Sequence, residues 1–501
     1  MLKLQPFTGS SRPTSEQTSQ FLAHLYLPVM HYMRFLLTLA PLAICLASAA
    51  CSARPARKTA DAAADRSAAA SPTTYHRMPN GLRVVLSRDA TVPLVRVGVY
   101  YAVGPREEPQ GRAGFAHLFE HLMFEGSEHL APGEYFDLIV SSGGRFGART
   151  LYDFTKYTAT VPSNALEVVL WAEADRMRGL RFDQKRLDAV RATVKNEVRQ
   201  QAFDRPYGRF VWIDIHELAQ TRWENAHSIY GDTPDGLMTA LDSASLDDAR
   251  EFFKTYYTPD NAALVVYGDI DADETLAIVT RYFGGIPRGQ GVPRADRTEP
   301  RQTSERRASR VDRNAPRPAL AIAYHMPPRS SRSFWVMGII DQILIEGRDA
   351  WMYEYLVQRR GLTEAVYGGI SPQHGSIYTT NGPNFWAVFV YHDRGQSPDS
   401  ILVAMDDQIE RIRSSRVDQE TLRRAIAKER ANFYAESNAN RGEGRADMLG
   451  QFALFDDDPL RLDRFDAEIR SVTPEMVLET AKEYLRPTNR TVLKLETKAA
   501  P

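Results

Sequence analysis

Two short passages of the chain occur twice. Arg181-Phe182-Asp183-Gln184-Lys185-Arg186-Leu187 matches Arg416-Val417-Asp418-Gln419-Glu420-Thr421-Leu422, and Tyr257-Thr258-Pro259-Asp260-Asn261 matches Leu485-Arg486-Pro487-Thr488-Asn489. The offsets are 235 and 228 positions, and each member of the second pair precedes a strand-like run, Ala263 to Tyr267 and Thr491 to Leu495. Nearly equal offsets imply two copies of one domain, each of roughly 200 residues or a little more. Leu82 to Leu86, Val92 to Val103 and Phe385 to Tyr391 read as further strands, while Ile401, Met405, Ile409 and Ile412 mark the core face of a helix. Strands and helices that do not strictly alternate predict an α+β layer fold rather than a parallel sheet. Ile286 to Pro318, dense in proline and arginine, reads as the linker between copies spanning 75–285 and 319–497.

Composition narrows the function classes. A 501-residue chain, 43% hydrophobic with a formal net charge of −1, supports more than one core and gives no basic surplus for nucleic acid. The only cysteines are Cys45 and Cys51, so the folded part has neither disulfide nor thiol chemistry, and any metal must be held by nitrogen and oxygen. Met33-Arg34 followed by the apolar run Phe35 to Leu46 and by Ala47-Ser48-Ala49-Ala50-Cys51 reads as a secretory signal region, 1–51, whose start is Met33. The run is too short to favour a membrane span. Cys51 stands where a bacterial lipoprotein carries its lipid, although Ser48 occupies a place where leucine is usual. Residues 52–74, rich in Ala, Arg, Asp and Ser, read as a disordered tether. The expected location is therefore the periplasm or cell envelope, with a lipid anchor at Cys51 as one form.

The stretch with the chemistry is His117-Leu118-Phe119-Glu120-His121, inside the proline-free segment Ala113 to Phe124. On a helix His117 and His121 fall one turn apart with Glu120 beside them, and Phe115, Leu118, Phe119 and Leu122 gather on the other side. Two imidazoles at this spacing can share a metal ion, and the carboxylate can take a proton from a water that the ion polarises. The bland alternative is two unrelated histidines on a polar face. Glu197 is a candidate third ligand. It lies on the apolar stripe Leu187, Val190, Val194, Val198 of a predicted helix over Asp183 to Gln201, where a carboxylate needs a partner. Its alternative partner is Arg191 or Arg199.

His117-x-x-Glu120-His121, with Glu197 in Val194-Lys195-Asn196-Glu197-Val198-Arg199-Gln200, resembles the pitrilysin family of zinc proteases, which includes mitochondrial processing peptidase and insulin-degrading enzyme. The likeness extends over nearly all of His76 to Thr497. It implies two homologous α/β-roll domains, each a mainly antiparallel sheet packed with helices, forming half of a clamshell chamber. It also implies one zinc ion per chain on His117, His121 and Glu197, with Glu120 as the general base of an endopeptidase. A non-catalytic chamber subunit is the alternative.

Gly143-Gly144-Arg145-Phe146-Gly147-Ala148-Arg149-Thr150 resembles the family strand on which an extended peptide adds, so Gly144, Ala148 and Thr150 are assigned to substrate. The family usually has asparagine at Gly147 and a second glutamate at Val190. The second copy has lost the chemistry, with Asn432 at the place of Glu197 and no histidine pair near Met352, where the offset puts the motif. Four such domains close the family's chamber, so a homologous partner lacking the zinc motif, or a second copy, is expected. In the family an arginine and, seven residues on, a tyrosine of the non-catalytic half serve the substrate carbonyl. Here Val357 and Glu364 take those places, while Arg360 and Tyr367 keep only the spacing.

Overall fold

The computed structural model describes residues 73–497, apart from 229, 231–233, 295 and 371–375. The signal region with Cys51, and the tether up to residue 72, lie outside the described residues; Thr73 and Thr74, read as the tether's end, open a strand instead.

Among the described residues eleven strands form two sheets. The first contains β1 (Thr73–Arg77), β2 (Arg83–Arg88), β3 (Leu94–Tyr101), β4 (Arg145–Thr150), β5 (Thr155–Pro162) and β6 (Ala262–Gly268) in the order β1-β2-β6-β3-β5-β4. The second contains β7 (Arg306–Asp312), β8 (Ala319–His325), β9 (Tyr367–Ile370), β10 (Phe385–Tyr391) and β11 (Arg490–Thr497) in the order β7-β11-β8-β10-β9. In the first sheet only β2 and β6 run parallel, and in the second only β7 and β11 do. The orders superpose as β2-β6-β3-β5-β4 on β7-β11-β8-β10-β9, so the duplication extends through both sheets. This architecture is the mixed α+β pair of homologous domains expected.

It also corrects the linker. Arg306–Asp312 is not a connecting loop but β7, the edge strand of the second sheet and the counterpart of β2. None of its residues is fully buried, and charge is tolerated on an edge strand, so arginine density hid a strand.

Seven helices bear on the candidate site, its counterpart in the second domain, or the packing between domains: α1 (Phe115–Leu122), α2 (Leu166–Arg178), α3 (Gln184–Val198), α4 (Ile215–Ala219), α5 (Arg332–Leu344), α6 (Gln419–Ser437) and α7 (Glu443–Phe455). The repeated passages persist because they do the same work twice. Asp183 caps α3 by accepting from the Arg186 amide, and Asp418 caps α6 by accepting from that of Thr421. Asn261 donates to the carbonyls of Tyr256 and Ala102, and Asn489 to those of Tyr484 and His325. Each asparagine thus ties the end of a helix to the exit of a strand.

The two domains exchange cover. One face of the first sheet, with Val84, Leu86, Val97 and Leu264, packs in its own domain's core, together with Leu118, Val169 and Val194 of α1 to α3. The opposite face, with Val85, Tyr100 and Val265, joins a core supplied by the second domain, where α7 crosses β3 and β6. Reciprocally, Ala321, Ala323 and Ala387 of the second sheet receive Phe210, Ile215 and Ala219 from in and before α4. Small side chains on the receiving sheet let a foreign helix approach closely.

Candidate active site

Helix α1 carries His117, Glu120 and His121, and its backbone is held at both ends. Gly114, the residue before it, has φ +87 and offers no side-chain cap. The carboxylate of Glu108 takes that role from outside, accepting from the amides of Gly114 at 2.9 Å and Ala116 at 2.8 Å. At the other end the Tyr157 hydroxyl donates to the Phe119 carbonyl at 3.0 Å. Arg176 of α2 reaches the Met123 carbonyl, fully buried beside Glu173 and over the rings of Phe124 and Tyr135.

Helix α3 brings Glu197 to the same point and then departs from α geometry. A π-helical turn over Arg199–Phe203 follows directly, a distortion that recurs at functional sites. The Glu197 carboxylate oxygen lies 3.6 Å from His117 Nε2 and 3.5 Å from His121 Nε2. Donor atoms sharing one tetrahedral zinc at about 2.0–2.1 Å stand roughly 3.3–3.4 Å apart, so the set is sized for an ion. His121 Nε2 and His117 Nδ1 are buried and make no hydrogen bond among the described residues. The alternatives read from sequence fail. Arg191 pairs with Asp188 and the Ala244 carbonyl, and Arg199 forms no ion pair with Glu197 among the described residues. Burial pushes the Glu197 carboxyl up, but the two imidazoles outweigh it and hold the group well below the usual carboxylate range. Burial lowers the His117 imidazole, and Glu197 more than reverses this, so it is raised.

Glu120 is buried, and one of its oxygens accepts from the Thr150 amide at 2.7 Å. That bond fixes the carboxylate against β4 and leaves its second oxygen for chemistry. Thr150, expected to touch substrate, therefore has another partner: its amide is committed to Glu120 and its hydroxyl donates to the Ala116 carbonyl. Ala148 shares that face of β4, opposite Tyr157, and Gly144 precedes the strand where a Cβ would meet Val161 at 2.5 Å. β4 is an edge strand with one neighbour, β5, as peptide addition requires. Val190 is buried in the apolar stripe, so the ligand set stays at three side chains.

A second donor group, Glu128, His129 and Asp175, does not make an equivalent site. Arg178 already stands 3.9 Å from Glu128 and 3.8 Å from Asp175, and His129 is spent on Asp175 at 2.6 Å. His216 is a packing residue stacked on Tyr152. Sequence offsets misplaced the second domain's counterpart of the metal helix. It is α5, not the neighbourhood of Met352, and α5 faces α6 through a hydrogen bond from Gln342 to Glu429 at 3.0 Å. Where the first domain gathers imidazoles and a carboxylate, the second has an amide–carboxyl pair. No sequence signal marked Glu108 or Glu429.

Two imidazoles and a carboxylate on facing helices, a base pinned beside them and a free sheet edge define a metallopeptidase-type site in one of two homologous domains. Two family models match in sequence, the insulinase model of peptidase family M16 over 83–213 and the M16 inactive-domain model over 243–429. The chain belongs to the M16, or pitrilysin, family. Among its relatives, zinc protease PqqE of Helicobacter pylori is 24% identical over 432 residues, covering 84% of this chain and 91% of the relative. Mitochondrial-processing peptidase subunit beta of Blastocladiella emersonii is 27% identical over 263 residues, about half of each chain at 52% and 54%. Of solved structures, a protease from Helicobacter pylori aligns with a TM-score of 0.76 at 21% identity over 85% of this chain and 99% of its own. A peptidase M16 inactive domain from Pseudomonas fluorescens aligns at 0.73 and 15% identity, over 85% and 98%.

Proposed function

We propose that the chain is a zinc-dependent endopeptidase acting on peptides or small unfolded proteins outside the cytoplasm. The observation that carries this is the convergence of His117, His121 and Glu197 at ligand spacing, with the Glu120 carboxylate fixed beside them. Zinc, when bound by these side chains, supplies Lewis acidity to a water and to the scissile carbonyl. The remaining steps belong to the protein. β4 holds the peptide in extended form, and the free oxygen of Glu120 takes the proton of the attacking water and returns it to the leaving amine. The Thr150 amide keeps that carboxylate from turning away during the transfer. Relatives named zinc proteases support the reading, and a solved neighbour of 18% identity and TM-score 0.66 is described as a periplasmic protease, PqqL of Escherichia coli. The apolar run before Cys51 supports an envelope location, which fractionation of the producing cell tests: unprocessed protein in the cytoplasm would overturn it.

The deciding experiment pairs zinc content with turnover of a mixed peptide library. Glu120→Gln is expected to keep zinc and lose hydrolysis by at least about a hundredfold, because the base acts on water and not on the ion. Glu197→Gln should lower both. A Glu120→Gln protein with near-normal turnover would remove the assigned base.

A further inference from the structure

The side chains of β4 divide between two faces, and the register with β5 says which. Phe146, Ala148 and Thr150 turn toward α1, as the contact of Phe146 with Phe124 and the bond from the Thr150 hydroxyl to the Ala116 carbonyl require. Arg145, Gly147 and Arg149 stand opposite Thr160, Thr158 and Lys156 and turn toward the face that α7 covers. On that face Lys156 bonds Asp447 of α7 at 2.7 Å, and the Arg145 Nε donates to Glu443 at 3.0 Å.

Gly147 leaves a gap between the two arginines that nothing in the fold demands. Its φ is not in the left-handed region, and a Cβ there would meet only the Thr158 hydroxyl, at an ordinary 3.7 Å. Arg149, at one side of the gap, is exposed and has no ion pair or hydrogen bond from its side chain among the described residues. Arg145, at the other side, is tethered by Glu443 yet 58% exposed.

A peptide strand added to the β4 edge sends every second side chain to this face, about 5 Å from its cross-strand neighbour. We propose that Gly147, with Arg145 and Arg149 on either side, is a subsite for an acidic side chain, so that the chain selects peptides carrying Glu or Asp at one fixed position on this face. The inference rests on the endopeptidase reading and narrows its substrate class. The bound carboxylate exchanges water for two guanidinium donors whose planar forks suit it, and a lysine at the same position meets two like charges.

The test uses the full chain with zinc, carrying Glu120→Gln so that peptide is bound without turnover, and peptide sets identical except for Glu, Gln or Lys at one scanned position. Fluorescence anisotropy should reveal one position where the Glu peptide binds about tenfold more tightly than the Lys peptide, with Gln between. Arg149→Glu should invert that order, and Gly147→Thr should remove the Glu preference while sparing the Gln peptide. Absence of binding, a difference under about twofold at every position, or an Arg149→Glu protein that shifts all three peptides alike would overturn the subsite. Failure of the endopeptidase reading shows separately, as Gln peptides bound but left uncut by zinc-loaded protein with Glu120 intact even when the homologous subunit is added.

Discussion

Glu429 lies on α6, the counterpart of the helix that carries Glu197, buried between Gln342 and the Tyr378 hydroxyl with no cation bonded to it among the described residues. Burial is the main cause that raises its carboxyl from 4.5 to about 7. A raised carboxyl keeps its proton in the folded chain while the unfolded chain gives it up, so stability falls as pH rises between those two values and then levels. The shift corresponds to about 3 kcal/mol. Glu429→Gln keeps a similar shape and both neighbours, so it should gain about 3 kcal/mol at pH 8 and almost nothing near pH 4. Urea unfolding at a series of pH values measures this; parallel curves for the variant and the unmodified protein would show that the carboxyl is already ionised in the fold. At this scale sequence was legible where chemistry follows helical spacing. His117, Glu120 and His121 declare themselves within five positions, and Glu197 betrays itself as a charge on an apolar stripe. Glu429 shows no such contrast, because one acid among the charged residues of Gln419–Ser437 looks solvated until packing places it.

At the scale of elements, the metal helix is short, eight residues, and begins after a glycine that cannot cap it. A helix of this length draws little stability from its own hydrogen bonds, so its orientation depends on outside restraints. Glu108 is the main one at the N-terminal end. It is buried, satisfies two orphan amides and lies 3.3 Å from His227 Nε2, whose ring stacks on Trp223. Glu108→Ala strands those amides and should cost about 2 kcal/mol, read as a lower thermal midpoint. Because the same turn carries His117, zinc should also pass faster to a competing chelator. Zinc retention equal to that of the unmodified protein would mean that Tyr157 and Arg176 alone hold the helix. None of this was visible in the sequence, since the cap comes from six residues upstream across a loop. Strand β7 escaped for the opposite reason. Its alternation was present, but arginine at edge positions imitates a linker, and only pairing with β11 distinguishes the two.

At the scale of the molecule, each sheet is finished by a helix of the other domain, so the duplication is a single cooperative structure rather than two beads. The repeated passages announced two copies but not this exchange. The aromatic and alanine faces that make it possible read as ordinary core. The exchange also fixes what the second domain can offer to catalysis. Arg360 turns to the Tyr355 ring and hydroxyl, while Tyr367, 49% exposed on β9, packs on Tyr391. The two residues therefore do not converge on one point. Glu364, at the place the family gives to tyrosine, lies 3.2 Å from Arg317. Arg360 and Tyr367 thus form no pair poised for an oxyanion among the described residues, a contribution that ordinarily lowers a hydrolytic barrier by several kcal/mol, about 3 for a single donor. On the endopeptidase reading we propose that this group comes from another subunit, a homologue lacking the histidine pair. The purified chain should then cleave peptides at least about a hundredfold more slowly than the same chain with that subunit added, at unchanged zinc content. Size-exclusion chromatography of the mixture should show one complex containing both. A monodisperse preparation of this chain alone with full activity, unaltered by Tyr367→Phe, would refute the complementation and assign the oxyanion to a group of its own.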